Sequence, residues 1–335
     1  MDMMRELPRM GGVAIQGEDE IASIGMCIGA AMAGARAMTA TSGPGISLYS
    51  ENLGLALMGE VPLVVVDVQR LGPATGGATT VSQGDVQFVR WGTAGGFPVI
   101  VLAPSDLAEC RRLTARAFEL AERFRCPVFL LTDKELVMTA NTVEVTADAA
   151  PPRPAAPPPA DWDGARPYRY QPPDGVSPLV PFGAAGTVRF TGSTHDERAF
   201  LTKDPSTVGA LNRHLVAKVE EHRDEIEEAT LTLDPRAATL FVAYGVTAGA
   251  MREAAARLAD ADRPASTLTL QSLWPVPEAA LAAALEGHRR VVVAELNHGL
   301  YRREVERLAG GREVVGLTRV DGELITPRQF EETWA

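Results

Sequence analysis

Three stretches of the sequence gather side chains able to move protons or grip an anion. The first is Gln16-Gly17-Glu18-Asp19-Glu20, followed by a run of small residues that includes Ala22, Ser23, Gly25, Gly29 and Ala30. Acids at a helix start complement its dipole and small residues permit close helix packing, so each feature alone is ordinary. The second is Thr41-Ser42-Gly43-Pro44-Gly45, a Gly-Pro-Gly turn after a predicted strand, where backbone can approach a ligand closely. The third is Arg70, which leaves an apolar run and enters Leu71-Gly72-Pro73-Ala74-Thr75-Gly76. A planar guanidinium there either clamps a carboxylate through two hydrogen bonds or braces a strand end. Thr75 is a further hydrogen-bonding candidate, and Thr41, Ser42 and Gly43 are candidates for lining the same pocket.

Other chemistries lack support. There is no G-x-x-x-x-G-K-[ST] loop, no H-E-x-x-H and no G-x-S-x-G elbow, and the histidines 195, 214, 222, 288 and 298 do not cluster. Cys27, Cys110 and Cys126 form no C-x-x-C pair, so no metal site is expected on this chain, and a reducing, cytoplasmic setting is. His195-Asp196-Glu197-Arg198 reads as a salt-bridged turn at a domain junction, and Glu295, Asn297 and His298 as interface hydrogen bonding.

The elements that must position these residues follow from length and pattern. The chain has 335 residues, 46% hydrophobic and 22% charged, enough for about two domains. Its net charge of −11, without a basic cluster, argues against nucleic acid. Its longest apolar runs, such as Val61 to Val66, fall far short of the ~20 residues that span a bilayer. The segment 151–181 holds 11 of the 24 prolines and reads as an extended connector, laid across a surface through Trp162, Tyr168 and Tyr170. On either side, short apolar runs alternate with helical patterns, the signature of parallel sheets covered by helices. Strands are expected at 13–15, 63–68, 99–102 and 128–131, and after the connector at 239–243, 267–270, 291–294 and 313–317. The fold class is therefore α/β with two three-layer, parallel-sheet domains, over 1–150 and 182–335. A charged helix near 207–228 is expected to be a mainly solvated face.

With Glu20, the small-residue helix and Thr-Ser-Gly-Pro-Gly in this order, the first domain resembles the pyrimidine-binding domain of thiamine diphosphate enzymes. More specifically, the chain is similar to the α subunit of 2-oxoacid:ferredoxin oxidoreductases of the 2-oxoglutarate type. The likeness is carried by Gly17 to Ile24, Val65 to Gly76, Gln83-Gly84-Asp85, Thr191 to Arg198, Leu273-Trp274-Pro275-Val276-Pro277 and Gly322 to Pro327, which together span nearly the whole chain. The second domain would then be the family's transketolase C-terminal-like domain.

The resemblance implies oxidative decarboxylation of a 2-oxoacid with coenzyme A, giving acyl-CoA, carbon dioxide and reduced ferredoxin. It makes Glu20, with Glu18 as the alternative, the carboxylate that activates the aminopyrimidine of thiamine diphosphate. Arg70 and Thr75 become substrate-binding candidates, and Thr41, Ser42 and Gly43 cofactor-binding ones. Neither Pro173-Asp174-Gly175 nor Val320-Asp321-Gly322 fits the magnesium-diphosphate loop. Mg²⁺ and a [4Fe–4S] cluster are thus expected on a partner β subunit, with γ and δ functions on further chains. One departure stands out: family members carry a strand–helix unit, opened by a Tyr-Pro-Ile-Thr-Pro-Ser-type loop, for which there is too little chain before Glu20. The chain start is displaced or another chain supplies the unit, and an exposed sheet edge is expected. Two rivals remain: the β subunit of a 2-oxoacid dehydrogenase E1 component, and a degenerate, non-catalytic partner subunit.

Overall fold

The computed structural model describes residues 2–144, 166–170, 175–183 and 187–334. Its first four strands are β1 (Met38–Ser42), β2 (Leu63–Gln69), β3 (Ile100–Leu102) and β4 (Pro127–Asp133). They pair in parallel in the order β1-β2-β4-β3. The runs Leu63-Val64-Val65 and Pro127 to Leu131 are buried on both faces, which is why they show no polar alternation. Helices Glu20–Met32, Ser50–Met58 and Leu107–Phe124 cover this sheet. The last is the most amphipathic, capped by the Asp106 carboxylate on the Glu109 amide at 2.9 Å.

Six strands follow the connector: β5 (Ala229–Thr232), β6 (Thr239–Ala243), β7 (Ser266–Leu270), β8 (Ser272–Trp274), β9 (Arg290–Glu295) and β10 (Glu313–Thr318). Five of them form a second sheet in the order β10-β9-β6-β7-β5, parallel except for the β5 edge. The sixth, β8, crosses over and pairs antiparallel with β3, so it completes the first sheet from the second half of the chain. At the opposite edge lies β1, with Met38 and Ala40 exposed.

Three expectations need correction. Val13-Ala14-Ile15 is not a strand: no described strand lies alongside to pair with it, and Val13 and Ile15 are 75% and 66% exposed. The charged stretch after the connector is not simply a solvated face. It forms the helices Pro205–Glu220 and Arg223–Ile226, and the first turns His214 and Lys218 inward. There Glu60, fully buried, accepts from Lys218 Nζ and meets His214 Nε2, each at 2.9 Å. Burial alone would raise the Glu60 carboxyl, but Lys218, His214 and Arg125 outweigh it and hold it well below the usual range. The expected salt-bridged turn also differs. The Asp196 carboxylate accepts the amides of Arg198 and Phe200, Glu197 pairs instead with Arg166, and His195 is buried against the Tyr168 ring.

Trp162 of the connector lies outside the described residues. Tyr168 is buried with its hydroxyl donating to Gly59 O, and Tyr170 stacks on His214 with ring centroids 3.5 Å apart. The Arg125 guanidinium gathers the carbonyls of Glu60, Pro167, Ser177 and Pro178, so a single buried cation ties the described connector residues to the first sheet.

Candidate functional site

The candidate site lies at the carboxyl ends of β1 and β2, where open parallel sheets commonly bind ligands. Glu20 is the first residue of the Glu20–Met32 helix. The three consecutive acids take different positions. Asp19 is the N-cap, its carboxylate accepting the Ala22 amide at 2.7 Å, while Glu18 is exposed. Glu20 alone of the three turns toward the sheet, where its Oε1 accepts from the Thr41 hydroxyl at 3.2 Å.

The turn after β1 is shaped around that contact. Gly43 adopts φ +61°, the left-handed region, where Gly is tolerated at no steric cost. A Cβ at Gly43 would also lie 2.6 Å from Arg70 Nε, so the Arg70 side chain packs closely on this glycine. At Gly45 a Cβ would run into Thr41 Oγ1 and Glu20 Oε1. Ser42 is turned away, donating to Val68 O at 2.9 Å, and so braces β1 against β2. Glu20, Thr41, Gly43, Gly45 and Arg70 therefore form one contiguous cluster.

Arg70 makes no hydrogen bond or ion pair among the described residues, and its Nε is buried without a partner. A half-buried guanidinium with no carboxylate hydrogen-bonded to it can accept an anionic ligand. Thr75 is not brought to this cluster: it is exposed in the loop after the cis Gly72-Pro73 bond. Glu295 and Asn297 serve the interface between the two sheets. The Glu295 carboxylate accepts from Tyr244, Asn297 and the amides of Tyr301 and Arg302, while Asn297 donates to Gln83 O. Exposed His298 takes no part.

Residues 83–85 and Asp67 contribute more than sequence reasoning credits them with. Gln83 is buried and spans the two sheets, donating to Tyr244 O and accepting from Leu296 N and Thr247 Oγ1. Asp67 pairs in register with Thr41 across β1 and β2, and so shares a sheet face with the residue that holds Glu20. It is fully buried. The available signal is an acid inside the apolar strand Leu63-Val64-Val65-Val66-Asp67-Val68. An apolar cavity of about 200 Å³ lies elsewhere, lined by Leu57, Phe97, Cys126, Leu215 and Lys218. It has no spare polar group, because Lys218 is already bound to Glu60.

Residues 1–211 match the family model of the pyruvate flavodoxin/ferredoxin oxidoreductase thiamine diphosphate-binding domain, and 237–330 match pyruvate:ferredoxin oxidoreductase core domain II. The chain is 39% identical to the 2-oxoglutarate synthase subunit KorA of Methanocaldococcus jannaschii, over 98% of this chain and 88% of that one. It belongs to the α subunits of the 2-oxoacid:ferredoxin oxidoreductases. The ketoisovalerate oxidoreductase subunit VorB of Methanothermobacter thermautotrophicus is 32% identical, over 98% of this chain and 86% of that protein. Among solved structures, the 2-oxoglutarate:ferredoxin oxidoreductase of Magnetococcus marinus, with 2-oxoglutarate, coenzyme A and succinyl-CoA bound, matches at TM-score 0.88 and 30% identity. That match covers 98% of this chain and 58% of the other. The chain is thus an oxidoreductase subunit with a thiamine diphosphate-binding domain, and subunits of this kind work with others. No helix among the described residues is long and apolar enough to cross a membrane.

Thiamine diphosphate fits the cluster on its pyrimidine side. Glu20 offers a carboxylate held by one oxygen, and the missing side chain at Gly45 makes room for that carboxylate and the Thr41 hydroxyl that holds it.

Proposed function

We propose that this α subunit supplies the pyrimidine side of a thiamine-dependent site that oxidatively decarboxylates 2-oxoglutarate with coenzyme A and passes the electrons to ferredoxin. The observation that carries the reading is the cluster of Glu20, held by Thr41, beside an unpartnered Arg70. The choice of 2-oxoglutarate rests on the synthase subunits at 37–39% identity and on the substrate in the Magnetococcus marinus complex. In this reading residues 1–150 are the pyrimidine-binding domain, 151–181 the connector and 182–335 the second domain. A β subunit would hold Mg²⁺, the diphosphate and a [4Fe–4S] cluster, further γ and δ chains would complete the complex, and the assembly would work in the cytoplasm.

When bound, thiamine diphosphate supplies a nucleophilic carbon and an electron sink for loss of carbon dioxide. Glu20 contributes a carboxylate that hydrogen-bonds the ring and holds or moves a proton at the ring nitrogen. Thr41 fixes which Glu20 oxygen is engaged on the protein side. Arg70 binds the 2-oxoacid carboxylate through its two terminal nitrogens, and Gly43 leaves room for the Arg70 stem to lie against the turn. Gly43 and Gly45 let Arg70, Thr41 and Glu20 close onto the backbone of this turn, and Ser42 keeps the turn attached to β2.

The test is viologen reduction by the anaerobically purified complex with 2-oxoglutarate, pyruvate and 2-oxoisovalerate as alternative substrates. The expected result is coenzyme A-dependent reduction with 2-oxoglutarate at the highest kcat/KM. No thiamine-dependent activity with any of the three, from a complex carrying all subunits, would overturn the reading.

A further inference from the structure

Asp67 and Asp85 are two acids the reaction above does not use; Asp67 is the register partner of Thr41, and Asp85 is bonded through its amide to Gln69, next to Arg70. Both Asp67 oxygens are buried without a hydrogen-bond partner, and so is Oδ2 of Asp85. The two carboxyls face each other within hydrogen-bonding reach. The Asp85 amide donates to Gln69 Oε1 at 3.2 Å, and Gln69 Nε2 in turn donates to Thr132 O, so the Asp85 backbone is pinned to β2 and β4. The Gly43 amide is turned toward Asp67, and the positive charge of Arg70 acts on Asp85. Tyr49 is the titratable group beside Asp67, and Glu20 and Cys27 in turn lie near Tyr49.

Two bare carboxylates in such a place would carry a heavy penalty in lost hydration. One proton between them removes most of that cost, since each carboxyl then has a partner. We propose that Asp67 and Asp85 hold one shared proton and act as positioning residues that set how much negative charge lies beside Arg70 when the substrate carboxylate binds. With one proton, the pair carries a single negative charge, balanced by Arg70, and the guanidinium edge stays free for the incoming anion. With none, a second negative charge opposes the substrate. Burial, the Asp67 contact and Arg70 together leave Asp85 raised to about 6, while burial and Asp85 push Asp67 well above the usual aspartate range. Both directions agree with retention of one proton at neutral pH.

This inference rests on the role given to Arg70, so its test has one readout that needs no turnover. The wild-type complex, Asp67→Asn and Asp85→Asn are compared by infrared spectroscopy for a protonated-carboxyl band that shifts in D₂O, and by the pH dependence of KM for 2-oxoglutarate and for coenzyme A. The expected result is a band in the wild type that either substitution removes. The KM for 2-oxoglutarate should rise several-fold toward alkaline pH in the wild type and stay flat in Asp67→Asn, whose amide mimics the protonated acid; KM for coenzyme A should not follow. A band unchanged by both substitutions, or an Asp67→Asn pH profile identical to the wild type, would overturn the shared proton. Absence of turnover in all three proteins would count against the proposed reaction, and the infrared comparison would still decide the pair.

Discussion

The Thr41 hydroxyl donates to Glu20 Oε1 across 3.2 Å, joining the end of β1 to the first turn of the Glu20–Met32 helix. It is the one hydrogen bond the Glu20 carboxylate makes among the described residues, so the second oxygen is left for a ligand. Glu20→Gln keeps the shape and removes the proton acceptor. Turnover of the complex should fall by about 10²-fold or more, the usual contribution of a general acid–base group, with subunit assembly intact on size-exclusion chromatography. Thr41→Val should give a smaller loss in kcat without changing KM for the 2-oxoacid.

Arg70→Ala should raise KM for the 2-oxoacid while leaving that for coenzyme A near its original value. A charge-assisted hydrogen bond contributes about 1.5–3 kcal/mol, roughly a ten- to hundredfold effect. Initial-rate measurements with each substrate varied in turn decide this, and an equal rise in both constants would remove Arg70 from the carboxylate site. Arg70→Lys should recover only part of the loss, because an ammonium cannot match the planar fork.

Gly45→Ala places a methyl group against Thr41 Oγ1 and Glu20 Oε1. Gly45 has no left-handed backbone, so the effect is confined to the side chains it displaces. The half-saturating concentration of thiamine diphosphate should rise and kcat should drop by about tenfold or more, since small misplacements of reacting groups are costly. Titration of the cofactor into the stripped complex measures the first and viologen reduction the second.

The Glu60 cluster predicts stability. Lys218→Met would leave the Glu60 carboxylate with one fewer cation in a fully buried place, and breaking such a pair costs about 3–5 kcal/mol. Because the folded-state pKa of Glu60 is below its unfolded value, this contribution is fully present above the ordinary glutamate range. It is lost only as pH falls toward the depressed value. Thermal melts from neutral to acid pH should show the wild-type advantage over Lys218→Met shrinking only on the acid side.

Much of the first sheet is readable from sequence because parallel strands buried on both faces advertise themselves as unbroken apolar runs, as β2 and β4 do. The Leu107–Phe124 helix is legible from its periodicity and its Asp106 cap. What stays hidden depends on partners distant in sequence. Val13-Ala14-Ile15 has strand composition, but composition supplies no neighbour to pair with. His214 and Lys218 look like solvated charges until Glu60, far earlier in the chain, turns out to lie beneath them. Within the site, Glu20, Thr41, Gly43 and Arg70 are found together because a strand end and a glycine turn mark where backbone opens toward a ligand. Thr75 carries the same kind of signal, yet the loop turns it to solvent. The partner of Asp67 could not be read, since Asp85 approaches from a separate loop.

The three residues of β8 give the molecule an unusual dependence on its own continuity. Trp274 and Ser272 pair with Val101 and Leu102, so the amide ladder of an early strand is closed by residues made near the end of synthesis. A ribosome that has released only the first half of this polypeptide presents β3 with a raw edge, and a protease cut in the connector would yield two pieces that still need each other. The connector is therefore a seam in sequence and not in cooperativity: hydrogen exchange at Ala103, whose amide donates to Gln271 O at 2.8 Å, should track the unfolding of the second sheet.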